Sequence, residues 1–117
     1  MPKRLSGYDY SQPGYYFVTI CTQQHRLVFS SLVDGQVYLK GPGQIAQSVL
    51  ITLPRRFAHV KLDDYVFMPN HMHAIIALTD LDSTHVGSRA ALWEIVRVFK
   101  AVTSYQIRRS EGKPWFA

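Results

Sequence analysis

Apolar positions change their spacing several times along the chain, and each change predicts an element. "YYFVTICTQ", residues 15–23, is dense in aromatic and β-branched residues and predicts a buried strand. "LVFSSLVDGQVYLK" follows, with Asp34-Gly35 between two short apolar runs. Asp-Gly tolerates the positive φ angles of a tight turn, so a small hairpin is expected. In "GPGQIAQSVLITLPRRF" the period lengthens: Ile45, Val49, Leu50 and Leu53 recur at helical spacing. That predicts a helix beginning near Gly43 and weakening at Pro54. "AHVKLDDYVFM" returns to strand-like composition, Pro69-Asn70 marks a turn, and "HMHAIIALT" predicts a strand antiparallel to the one before. Asp80 to Ser88 reads as a polar loop, and residues 1–14, broken by Gly7, Pro13 and Gly14, as irregular. From Ala90 onward, Leu92, Ile95, Val96, Phe99, Val102 and Ile107 lie on one stripe of a long helix.

The predicted order is strand, hairpin, helix, strand, strand, helix. One helical layer on an antiparallel sheet is an α+β architecture, and the β-α-β-β-α portion resembles a ferredoxin-like core lacking its last strand. At 117 residues the chain makes one domain. With 47% hydrophobic and 18% charged residues it is globular rather than disordered. No apolar run approaches the roughly 20 residues that span a bilayer, and the N-terminal stretch lacks the apolar segment of a signal peptide. No membrane association is expected, and the expected location is the cytoplasm. The lone Cys21 excludes an internal disulfide and reads as a small strand residue.

Thirteen Lys and Arg against eight Asp and Glu leave a formal charge of +5, which suits a polyanionic partner such as nucleic acid. Arg97, Lys100, Ser104 and Arg108 line one flank of the last helix. Such a flank is either a solvated face or a row of phosphate contacts.

The most unusual feature is "NHMHAII". Alternation places His71 and His73 on one face of a strand and Met72 on the other. Residues two apart sit about 6.5–7 Å apart at the backbone. Two imidazoles leaning together can each bring a nitrogen within about 2.1 Å of one ion. Spacing alone leaves two half-exposed surface histidines as the alternative, but the pair begins a strand just after a tight turn, where a substrate can reach it. His25, His59 and His85 are not read as ligands.

Taken in order, "GYYFVTICTQQHRLVF", "GQI" opening a helix, "YVFMPNHMHAII" and "IVRVFKAVTSYQI" resemble the single-tyrosine transposases of the HUH superfamily, nearest the REP-associated branch. The resemblance runs from about Tyr8 to Trp115, and Met-Pro-Asn-His-hydrophobic-His is its most specific part. It implies a transposase of mobile elements that binds hairpin-bearing single-stranded DNA and nicks and rejoins it. It implies His71 and His73 as ligands of a divalent cofactor, Mg or Mn, with no small-molecule cofactor. Imidazole is an unusual ligand for Mg, so Mn is expected to bind more tightly. It implies a tyrosine nucleophile and a 5′-phosphotyrosine link. Some relatives pair, so a homodimer is among the expected assemblies.

The chain departs from the family pattern in two respects, the nucleophilic tyrosine and a third metal ligand one turn beyond it. The family tyrosine lies on a helix after the position that Trp115 resembles, and the sequence ends at Ala117. The family nucleophile is therefore expected beyond Ala117, and residues 1–117 are expected to form a single domain lacking the tyrosine helix. Of the tyrosines present, only Tyr105 lies on a predicted helix, off its apolar stripe, and it is the candidate nucleophile within these residues. Arg97, Lys100 and Arg108 are the candidate DNA contacts. Three readings remain: a DNA-nicking transposase, a hairpin-binding module of the same fold that does not cut, and an unrelated basic α+β protein with two surface histidines.

Overall fold

A computed structural model of the chain describes residues 12–79 and 90–111. Strand β1 (Gly14–Cys21) follows the expected alternation, burying Val18 and Ile20 and exposing Tyr15 and Phe17. It ends two residues before the predicted boundary, because a short 3-10 turn at Gln23–His25, with Gln24 at a φ of 55°, diverts the chain. β2 (Ser30–Val33) and β3 (Gln36–Leu39) form the expected hairpin as a separate two-stranded sheet. Asp34 and Gly35 both take positive φ, 51° and 77°, as a tight turn between right-twisted strands requires.

Helix α1 (Gly41–Arg56) begins two residues earlier than its apolar period suggests. Pro42 explains this: its fixed φ suits a first helical turn, where its missing N–H would have no partner anyway. Pro54 does not end the helix, since it removes one bond close to a terminus, and the Phe57 N–H still donates to the Leu53 carbonyl at 3.0 Å. Strands β4 (Val60–Phe67) and β5 (His71–Leu78) and helix α2 (Leu92–Glu111) complete the order.

The main sheet has the order β1-β5-β4 and is antiparallel throughout. It is an α+β fold with both helices on one face of the sheet. Met72, Ala74, Ile76 and Leu78 of β5 point into the core, where Leu50 and Leu53 of α1 and Ile95, Val96 and Phe99 of α2 cover them. His59 is buried: its Nε2–H donates to the Ala90 carbonyl at 2.8 Å, while its own carbonyl accepts the Thr79 N–H at 2.8 Å. That side chain ties the entry to α2 to the sheet. Among the described residues no helix is long and apolar enough to cross a membrane.

The expected loop at Asp80 to Ser88, the breaker Gly7 and Trp115 lie outside the described residues. Ala117, beyond which the family tyrosine is expected, lies outside them too, so the expected lack of a tyrosine helix concerns residues past the last described one, Glu111.

Two buried hydroxyls, those of Ser30 and Thr103, are poorly matched to their surroundings. Thr103 of α2 is fully buried and its Oγ1 has no hydrogen-bond partner among the described residues. Valine keeps the shape and removes the stranded hydroxyl, so Thr103→Val should stabilise the fold by about 1 kcal/mol. A thermal melt reads this as a rise in midpoint.

Candidate functional site

The face of the sheet opposite the helices carries His71, His73 and Ile75 in its central strand, all half-buried. On the flanking strands of that face Tyr15, Phe17 and Val66 remain 76%, 64% and 40% exposed. Register brings Thr19 of β1 and Val66 of β4 beside His73, and Cys21 beside His71.

The approach to this face is a turn held from outside itself. Pro69 and Asn70 join β4 to β5, with the Met68 N–H donating to the His71 carbonyl at 2.8 Å. Neither residue takes the positive φ that two-residue hairpin loops favour. Neighbouring backbone compensates. The Pro69 carbonyl accepts the N–H groups of Val28 and Phe29 at 2.8 and 3.0 Å, and the Asn70 carbonyl accepts that of Thr22 at 2.9 Å. The buried Thr22 hydroxyl lies 2.7 Å from the Arg26 carbonyl and 3.0 Å from the Asn70 carbonyl. His71 therefore leaves a turn whose carbonyls are fixed by the segment after β1.

Each imidazole is anchored through Nδ1. The His71 Nδ1–H donates to Asn70 Oδ1 at 2.7 Å, which puts the lone pair on Nε2. His73 Nδ1 lies 2.9 Å from Thr19 Oγ1, a hydroxyl able to accept that nitrogen's proton and leave Nε2 free in the same way. The rings stand edge to face, centroids 4.7 Å apart. Burial, and then the nearby His73, lower the pKa of His71 below its ordinary value, favouring the neutral ring that a metal needs. Two imidazoles anchored through Nδ1, each able to offer Nε2, fit a divalent ion as half of a ligand set. No group of three His, Cys, Asp or Glu able to hold a metal occurs among the described residues.

Anchoring of this kind is testable without disturbing the fold. Thr19→Val keeps the β-branched shape on a half-exposed strand and removes only the hydroxyl. It should weaken Mn binding by about tenfold, measured by calorimetric titration, with an unchanged melting midpoint.

Beside His73 lies a hollow of about 210 Å³ lined by Phe17, Asp64, Val66, His73 and Ile75, with Tyr65 and Ala74 beneath. Phe17 and His73 have ring centroids 5.5 Å apart.

The remaining sequence candidates lie on α2, in the layer on the other side of the sheet. Arg97 and Arg108 are exposed there. Lys100 is half-buried; burial lowers its pKa and the nearby Cys21 raises it in part. Tyr105 is 62% exposed, with the Arg109 guanidinium carbon 5.8 Å from its ring centroid. The fold thus joins His71 with His73, and it does not bring Tyr105 beside the imidazoles. Other tyrosines are engaged elsewhere. The Tyr16 hydroxyl donates to the Gln12 carbonyl at 2.8 Å, and the Tyr65 hydroxyl accepts from Gln47 Nε2 at 2.9 Å. Tyr15 shares the histidine face but pairs with Ala77, four residues, or roughly 13 Å, along the strand from His73.

No family model matches the chain. An uncharacterized protein of Haemophilus influenzae is 32% identical over 123 residues, covering 92% of this chain and 68% of that protein. Among solved structures, a REP-associated tyrosine transposase bound to a REP hairpin superposes with a TM-score of 0.61 at 17% identity, over 98% of this chain. This chain spans 57% of the length of that transposase. A putative transposase from Deinococcus radiodurans R1 superposes with a TM-score of 0.55 at 17% identity, over 95% of this chain and 70% of its own.

Proposed function

The chain belongs to the family of that Haemophilus influenzae protein and has the fold of the HUH-type tyrosine transposases, and on that basis we propose that it binds hairpin-bearing single-stranded DNA and holds one phosphate of it at His71 and His73. The observation that carries the reading is the pair of imidazoles on the open sheet face, each anchored through Nδ1.

His71 and His73 would hold a divalent ion, Mn or Mg, which when bound would offset charge on a phosphate oxygen. The chain's own residues do the rest of the positioning. Asn70 and Thr19 orient the two rings. Lys100, near the end of β1, adds positive charge on the approach, and Arg97 and Arg108 extend it along α2 as contacts to the DNA backbone. Such contacts set register and affinity rather than sequence preference, consistent with a net charge of +5.

The full reaction of the second reading, cleavage, is attack by a tyrosine oxygen on that phosphorus. The P–O3′ bond breaks, the phenol loses its proton, and the departing 3′ oxygen gains one. No described tyrosine hydroxyl lies beside the imidazoles, and Tyr105, on the helix layer, is the candidate nucleophile among the described residues. That observation favours hairpin binding as the activity of these residues, with cleavage as the second reading. Incubation with a labelled DNA hairpin carrying single-stranded flanks, in Mn, separates them. Retention of the hairpin without a detergent-resistant adduct supports binding alone, an adduct supports the nuclease, and failure to retain the hairpin rejects both.

A further inference from the structure

The hollow beside His73 combines features that a phosphate site does not need. Its wall at β1 is the exposed ring of Phe17 and its floor is Ile75, while Val66 closes the side toward β4. At its end is a carboxylate, Asp64, in a chain whose charge is otherwise predominantly basic. A carboxylate repels phosphate, so it is a poor partner for the DNA backbone, but it is a good acceptor for the N–H groups of a base.

The position of Asp64 depends on a backbone irregularity. β4 is bulged between Leu62 and Asp64, so those residues, two apart, pair with the adjacent residues Ile76 and Ile75. Leu62 packs toward the core while Asp64 shares a row with Ile75 and Phe17 on the histidine face. A bulge re-aims side chains in this way. Asp64 Oδ1 accepts the Tyr65 N–H at 2.8 Å, which fixes the carboxylate; Oδ2 has no partner among the described residues.

We infer that this hollow holds the unpaired base next to the phosphate bound at His71 and His73, with Phe17 as its stacking face and Asp64 as the acceptor for an exocyclic amino group. The inference rests on the phosphate-binding role proposed above. It selects cytosine, adenine and guanine, which carry such an amino group, over thymine, which has none. Stacking on Phe17 tolerates any base, whereas the Asp64 contact does not.

The experiment is fluorescence anisotropy with labelled oligo(dC), oligo(dA) and oligo(dT) in Mn, on the wild-type chain and on Phe17→Ala and Asp64→Asn. Wild type should bind oligo(dC) and oligo(dA) about fivefold or more tighter than oligo(dT). Asp64→Asn, whose amide also donates, should erase that difference. Phe17→Ala should weaken all three by about tenfold while keeping the order. Both positions are exposed, so melting midpoints should hold. Equal wild-type affinity for the three oligonucleotides, or a preference unchanged in Asp64→Asn, overturns the base assignment and leaves the phosphate role standing. Binding of none of them overturns both.

Discussion

Replacing His71 and His73 together by alanine should lower Mn affinity by at least about 100-fold in a calorimetric titration, while the melting midpoint barely moves. The two halves of that expectation have one cause. Both rings sit half-buried on the face away from the helices, so their loss opens no cavity in the core formed by Met72, Ala74 and Ile76. Large destabilisation needs a cavity, a stranded charge or a broken buried network, and none arises here. Each ring supplies one of two imidazole donors, and no third described His, Cys, Asp or Glu joins them. A single replacement leaves one anchored ligand and should fall between wild type and the double variant. Undiminished Mn binding by the double variant would remove the metal assignment.

Gly43→Ala should have the largest effect on stability, a loss of about 2–3 kcal/mol in chemical denaturation. Alanine is the better helix former by about 1 kcal/mol, so propensity alone predicts the opposite sign. Contact decides: a Cβ at residue 43 would run into the carbonyl of Phe29 and approach Leu39 Cδ2 to 3.2 Å. Phe29 cannot easily give way. Its side chain is fully buried, its carbonyl accepts the Lys40 N–H at 2.8 Å, and its own N–H donates to the Pro69 carbonyl at 3.0 Å. Displacing it would pull on the turn that positions His71. The variant should therefore also bind Mn more weakly, although residue 43 lies on the helix layer. A more stable Gly43→Ala protein would mean that Phe29 moves freely.

Much of this arrangement was legible in the order of apolar residues. The Asp34-Gly35 hairpin, the antiparallel β4–β5 pair and the long α2 stripe follow from local chemistry, because turn residues and periodicity act over a few positions. Where the expected boundaries shifted, a single residue overrode the period, as Pro42 did at the start of α1 and Gln24 at the end of β1. His71 and His73 could be placed on one face by alternation alone. Their anchors could not. Thr19 reaches His73 only through the β1–β5 register, a long-range pairing with no local signal. Asn70 was visible as a turn residue, and its adjacency to His71 was the available hint that its amide also serves the ring. Asp64 was harder still, since a bulge between Leu62 and Asp64 reverses the simple alternation of β4. His59 read as a residue ahead of a strand, and only the packing of the entry to α2 makes it a buried tie.

Paired imidazoles that meet DNA phosphate through a shared divalent ion leave a thermodynamic signature. Metal and DNA that share a site must each strengthen the binding of the other. Hairpin affinity is therefore to be measured in Mn and again in excess chelator, for wild type and for the His71→Ala, His73→Ala variant. Wild type should bind the hairpin about tenfold or more tighter in Mn than in chelator, and the variant should bind equally in both. Equal tightening by Mn in the two proteins would contradict a shared ion at His71 and His73.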